Sequence, residues 1–275
     1  MAVTATETSG TRSSRERSST TRSSRERSST TRGWELFAQY AFPPNELGYC
    51  GPPDASKLLK SSTQAADARL APHVRIAEHA QGFEGAWPYL EDIAAAAGVD
   101  DPLDFDVVRN YWIGGSLLAR VDGERLLNRL RSAFERQPTG LLNELTSPDD
   151  VLPHHSFHVF VVYPWIRFRD RDPANPLHIL QSCRIRWGTV DSVDGEHAVV
   201  VSRPLRFDGA LSLGEPMPEN VRWSRDGTAL APAPVPGQIV SAHWDWLCGG
   251  LTPYERDVLS STTQRTLDLV NTARG

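Results

Sequence analysis

The stretch "SCRIRWGTVDSVDGEHAVVV", Ser182 to Val201, decides how the second half of this chain folds. Asp194-Gly195 lies between two runs rich in β-branched residues, a strong short-range signal for a hairpin. The stretch opens with Cys183, one of three cysteines in 275 residues. By alternation, Cys183 aligns with Ile179, Ile185 and Trp187, while Arg184 and Arg186 point the other way. That pattern by itself reads as core filling, because cysteine is among the residues most often buried.

Outward from the hairpin, the same period-2 pattern continues in both directions. Upstream, "FHVFVVYPWIRF" (157–168) is aromatic and β-branched, and "LHILQSCRIRWGTVDSV" (177–193) follows a polar turn at 169–176. Downstream, "EHAVVVSRPLRF" completes the hairpin, and Asp226-Gly227 marks a second one. The Pro-rich "APAPVPG" (231–237) leads into one more strand, "QIVSAHW". The chain then changes period again in "TPYERDVLSSTTQRTLDLVN". There Thr252 is an N-cap, Pro253 occupies the first helical position and Glu255 completes a capping box.

Before Pro153 the pattern is helical. "GWELFAQYAF" starts it and is expected to stop at Pro43 and Pro44. The loop "NELGYCGPPD" leads to an N-cap at Asp54, with helices expected around 54–70, 73–80, 86–97 and 103–113 and a C-cap at Gly98. In "DGERLLNRLRSAF", Leu126, Leu127, Leu130, Ala133 and Phe134 share one face.

Bulk properties narrow the class. Residues 11–20 and 21–30 are one decapeptide written twice, and 11–32 holds seven Arg against two Glu. That segment carries +5, Glu7 takes one back, and the net charge of -5 therefore leaves -9 on residues 33–275. A repeat of Arg, Ser and Thr with no apolar face cannot offset the entropy of ordering, so 1–32 reads as a disordered tail. An acidic body speaks against nucleic acid as the main partner. No apolar run approaches the roughly 18 residues that span a bilayer. Three widely spaced cysteines form no disulfide framework and suit a reducing cytoplasm.

Several residues could carry chemistry. "LPHHSFHVF" holds His154, His155 and His158, but on a strand residues four apart lie about 13 Å from each other, too far to share an ion. "AHWDWLCGG" combines His243, Asp245 and Cys248, with Ser241, His243 and Asp245 alternating to one face, either solvated or the wall of a site. Cys50 lies in a loop between glycines and is a further candidate for metal or redox work. There is no phosphate loop, nucleophile elbow, His-Glu-x-x-His or Cys-x-x-Cys.

Read together, 183–272 resembles the small HypC/HupF chaperones of NiFe-hydrogenase assembly. That family opens with Cys, then an aliphatic-Pro-Gly-x-Val turn, a strand, an Asp/Gly turn and a strand. Here the matching positions are Cys183, Gly188, Val190, Asp194-Gly195 and Val199–Val201. The family's later Gly-Asp-aromatic-Val-x-Val-His strand and C-terminal helix correspond to Gly237, Val240, His243, Trp246 and the capped helix. Trp187 stands where the family has Pro and Asp245 where it has Gly. The family's Cys sits at the processed N-terminus, whereas Cys183 is internal, and residues 34–150 have no counterpart there. Over its full length, through "WELFAQYAFPPNELGYCGPPD" and "HWDWLCGGLT", the chain also looks like an uncharacterised bacterial family associated with hydrogenase gene clusters.

The resemblance implies that Cys183 and His243 are metal ligands, with Cys50, Asp245 and Cys248 as additional candidates. It implies iron held in transit rather than a resident cofactor, and hydrogenase large subunit or other maturation proteins as partners. A soft thiolate beside imidazole suits low-spin iron. The expected fold is α+β: a disordered tail (1–32), a helical half (33–150), then a small OB-like β-barrel closed by a C-terminal helix (151–275). Two other readings stand beside it: a structural adaptor with no metal site, and a thiol-dependent enzyme using Cys183, Cys50 or Cys248. Whether Cys183 and His243 meet is decided only by the tertiary structure.

Overall fold

A computed structural model describes residues 32–59, 70–168 and 174–273. The Arg/Ser repeat lies outside the described residues, as do 60–69 of the helix expected over 54–70 and most of the polar turn at 169–176.

The helical half begins with α1 (Gly33–Glu46), followed by a 3-10 turn (Ala55–Leu58), α2 (Pro72–Ala80), α3 (Trp87–Ala97), α4 (Phe105–Trp112) and α5 (Gly123–Ala133). Local signals set several of these ends. The Asp104 side chain accepts from the Asp106 and Val107 amides at the start of α4, and that of Asp122 from the Arg125 amide at the start of α5. Gly98 closes α3 in the left-handed conformation. Asp54 precedes its 3-10 turn at φ 75° without a side-chain capping bond to a backbone amide. Helix α1 does not stop at Pro43 and Pro44 but runs through both. Both prolines lie near its C-terminal end, and their missing N–H groups leave the Gln39 and Tyr40 carbonyls without the usual intrahelical donor.

The period-2 reading of 157–168 and 177–183 is corrected by the structure. A short helix α6 (His155–Phe157) continues into a π turn (His158–Val162), then α7 (Trp165–Phe168) and α8 (Ala174–Cys183). Every residue from His158 to Val162 is buried. A continuous apolar run buried on all sides carries no periodicity to separate helix from strand. Locally, His154 Nδ1 accepts the Ser156 amide at 3.0 Å and so starts a helix.

The barrel follows. Strands β1 (Arg186–Asp194), β2 (His197–Ser202), β5 (Met217–Arg222), β9 (Trp246–Gly250) and β8 (Ile239–His243) pair in that cyclic order, and β8 returns to β1. The Asp194-Gly195 hairpin forms, with Asp194 opposite His197 and Gly195 at φ 55°. The second hairpin joins β6 (Ser224–Arg225) to β7 (Thr228–Ala229) through Asp226-Gly227, both at positive φ. Strands β3 (Leu205–Asp208) and β4 (Ala210–Leu213) form a separate ribbon. The C-terminal helix α9 (Pro253–Thr272) starts with the expected Thr252–Glu255 capping box. The protein is α+β, with helices first, then the sheet region and a closing helix.

Alternation along β8 and β9 divides two cores. Val240, Ala242 and Leu247 join Val190, Ala198, Val200 and Val221 inside the barrel. Trp246 and Cys248 face the other way, into a large cluster shared with the helices. Residues 33–275 form one compact unit, and that cluster draws on residues from both sides of position 150. The two halves expected from the sequence therefore share one core, and the polar face of β8 is sealed rather than solvated.

Candidate metal centre

Cys183 is the last residue of α8, one turn after Ile179 on the same buried face. The final carbonyls of a helix have no intrahelical partners and must find others. Here Ser182 O accepts the Trp244 amide at 2.8 Å and Arg186 Nη1 at 3.2 Å, and Cys183 O faces His155 Nε2 at 2.9 Å. The end of α8 is thereby tied to the end of β8 and to the start of α6.

His243 ends β8, and the chain reverses at once through Trp244-Asp245 so that His243 pairs with Trp246. Trp244 takes φ 53°, an uncommon conformation for a bulky side chain. It is held on both sides: its amide donates to Ser182 O, and its carbonyl accepts Arg186 Nη2 at 2.5 Å. His243 Nδ1 donates to Tyr40 O at 2.7 Å. That carbonyl is free because the residue four positions on, Pro44, has no N–H to bond it. The bond fixes the tautomer and leaves the Nε2 lone pair available. His243 Nε2 is buried with no hydrogen-bond partner.

These placements bring His155, Cys183 and His243 together: their ligand atoms all lie within 4.8 Å of one another. The three residues are 4%, 3% and 0% exposed. The two imidazole rings are 5.1 Å apart, centre to centre, and nearly perpendicular at 76°. Trp112 packs on both rings, at 4.6 Å from His155 and 5.9 Å from His243. Ligand atoms around a tetrahedral ion with bonds of about 2.0–2.3 Å are roughly 3.4–3.8 Å apart, so modest side-chain adjustment would close this group on one ion. One thiol, two imidazoles and an unpartnered ring nitrogen fit a soft or borderline transition metal.

Burial sets the protonation states. It lowers the pKa of His155 to about 4 and, with His155 nearby, that of His243 well below the usual value, so both rings are neutral at neutral pH. Burial, then the nearby Cys50, pushes the Cys183 thiol well up. The Trp244 indole acts on the thiol in the opposite sense, although its N–H makes no well-formed hydrogen bond. Cys183 is thus a protonated thiol whose proton a bound cation would displace.

The structure brings Cys183 and His243 together, which the sequence left open, and leaves the additional candidates outside the ligand group. Cys50 is half-buried in the loop after α1, its thiol raised to about 11 by burial. Cys248 is buried on β9, its thiol 3.7 Å from Trp246 O. Asp245 is at the exposed turn, where it pairs with Arg222 at 3.9 Å. The residue that sequence reasoning set aside is His155. Its signal was the "HHSFH" cluster, dismissed because the segment was read as a strand.

Fold and site define an α+β protein with a buried Cys/His cluster where a barrel meets a helical layer. The chain belongs to a family of unknown function, DUF6390, whose model matches residues 29–275. No curated protein and no solved structure matches it. Among the described residues, no helix is long and apolar enough to cross a membrane.

Proposed function

We propose that this protein is an accessory factor of NiFe-hydrogenase maturation that holds iron in transit at Cys183 and His243. The observation that carries the reading is the convergence of these two residues, 60 positions apart in the chain, at one buried point. The series of cysteine, hairpin, histidine strand and capped helix occurs in the order the HypC/HupF resemblance implies. The cargo would be bound by the thiolate and by His243 Nε2, while Tyr40 O orients the ring from behind. Arg186 holds the two ligand-bearing segments at a fixed spacing. The partners are the hydrogenase large subunit or other maturation proteins, and the place of action is the cytoplasm, where free thiols persist.

The structural-adaptor reading draws on the burial of Cys183, which a core thiol would share. The thiol-enzyme reading finds no support in the protonation states, since the pKa values of Cys50, Cys183 and Cys248 are all raised.

The test is hydrogenase activity in cells carrying Cys183→Ala or His243→Ala, with metal content and folding of each purified variant. Loss of maturation and of bound iron in folded variants is expected. Normal maturation with both variants would leave only the adaptor.

A further inference from the structure

The third member of the cluster comes from outside the part of the chain that resembles the hydrogenase chaperones. His155 opens α6, behind the helical half, yet its ring faces both His243 and the end of α8. Its hydrogen bonding does not close on itself. Nε2 lies 2.9 Å from Cys183 O, and Nδ1 lies 3.2 Å from the Tyr111 hydroxyl oxygen. The Tyr111 hydroxyl proton is already committed to Gly85 O at 2.9 Å. The ring therefore has an acceptor at each nitrogen, but a neutral imidazole has only one N–H. Two protons, one on the ring and one on the Tyr111 hydroxyl, serve three acceptors, Cys183 O, Gly85 O and the ring's own lone pair, so one acceptor in this dry core lacks a donor, at a cost in free energy.

A cation resolves it. With Nδ1–H donating to Tyr111, the Nε2 lone pair faces Cys183 O at 2.9 Å, and a turn of the ring off that carbonyl brings Nε2 to bear on an ion beside Cys183. A few ångströms away are the Cys183 thiol and the unpartnered Nε2 of His243. We propose that His155 is the third ligand of this site. One chain then holds a single soft or borderline transition-metal ion through one thiolate and two imidazoles, with a fourth position open to an exogenous ligand. Tyr111 is a positioning residue, setting the tautomer of His155 as Tyr40 O sets that of His243. The helical layer completes a centre that the barrel only begins, so the ion ties the two together. The inference rests on the Cys183–His243 reading and adds the donor that makes the site self-sufficient.

The test uses the full-length protein, reduced and metal-free, titrated with Co(II) under anaerobic conditions and followed by visible absorption. The wild type is expected to bind one equivalent, with a thiolate-to-cobalt charge-transfer band and the intense ligand-field bands of a four-coordinate ion. In His155→Gln the charge-transfer band should persist while the ligand-field bands weaken. Affinity should fall by about a hundredfold or more, beyond the usual cost of losing an outer hydrogen bond to a ligand. X-ray absorption on the wild-type complex should count one sulfur and two imidazoles, a readout that does not depend on the variant folding. One sulfur with one imidazole, or a His155→Gln titration identical to wild type, would overturn the third ligand and leave the pair intact. No thiolate band in the wild type would instead remove the pair itself, and this inference with it.

Discussion

Arg186 shows how much of the site depends on a single side chain. Its guanidinium is almost fully buried on β1 and bonds Ser182 O, Trp244 O and the Glu219 carboxylate. The first two bonds span the segments that carry Cys183 and His243, and the third supplies a counter-charge only 25% exposed. Replacing it with methionine keeps the apolar stem but leaves Trp244 O without its donor and the Glu219 carboxylate without its counter-charge, while Ser182 O keeps only the Trp244 amide. Leaving a buried acceptor without its donor costs about 1–3 kcal/mol. Arg186→Met is therefore expected to lower the urea midpoint strongly and to weaken metal binding with it. A variant as stable as the wild type would show that this network is not holding the two segments.

At the scale of elements, α1 contributes through a hydrogen bond it does not make. Pro44 leaves Tyr40 O unbonded within the helix, and His243 Nδ1 takes it. The adjacent Tyr40 hydroxyl bonds Ser241 Oγ at 2.7 Å, so two successive outward residues of β8 are read by one helical residue. Pro44→Ala restores an N–H that competes for Tyr40 O and loosens the orientation of His243. Losing a second-layer partner of a histidine ligand typically costs 10–100-fold in metal affinity. Pro44→Ala should reduce Co(II) affinity about tenfold while its urea midpoint stays the same or rises, because alanine is the better helix former. Equal affinity in the two proteins would mean that the Tyr40 contact does not hold the ring.

For the molecule as a whole, the burial of neutral histidines dictates its response to acid. Burial lowers His154 and His158 to about 3 and His155 to about 4, and it holds His243 well below its ordinary range. In the unfolded chain these rings titrate near 6.5. The unfolded state therefore binds more protons between about pH 6.5 and 4, and stability falls as pH falls through that window. By pH 5 each ring costs about 2 kcal/mol, and four together match a typical folding free energy of about 5–15 kcal/mol. Cooperative unfolding near pH 5 is expected, above the range where carboxylates protonate, and is measurable by circular dichroism at a series of pH values. Stability unchanged from pH 7 to pH 4 would show that these rings are reached by water.

Features that rest on short-range chemistry were legible from neighbouring residues alone. The capping box at Thr252, the cap at Gly98, the Asp194-Gly195 and Asp226-Gly227 hairpins and the amphipathic face of α5 all follow from neighbouring residues. Cys183 and His243 were legible as a pair through the order of those elements. Tertiary structure decided the rest. The run from His155 to Val162 is buried on every side, so its helical form depends on the layers that cover it. The polar side of β8 is indistinguishable from a solvated face until α1 packs on it and takes Ser241 and His243 into the core. His155 joins the centre for the same reason: its distance from Cys183 is a property of how α6 and α8 pack, and no local pattern encodes it.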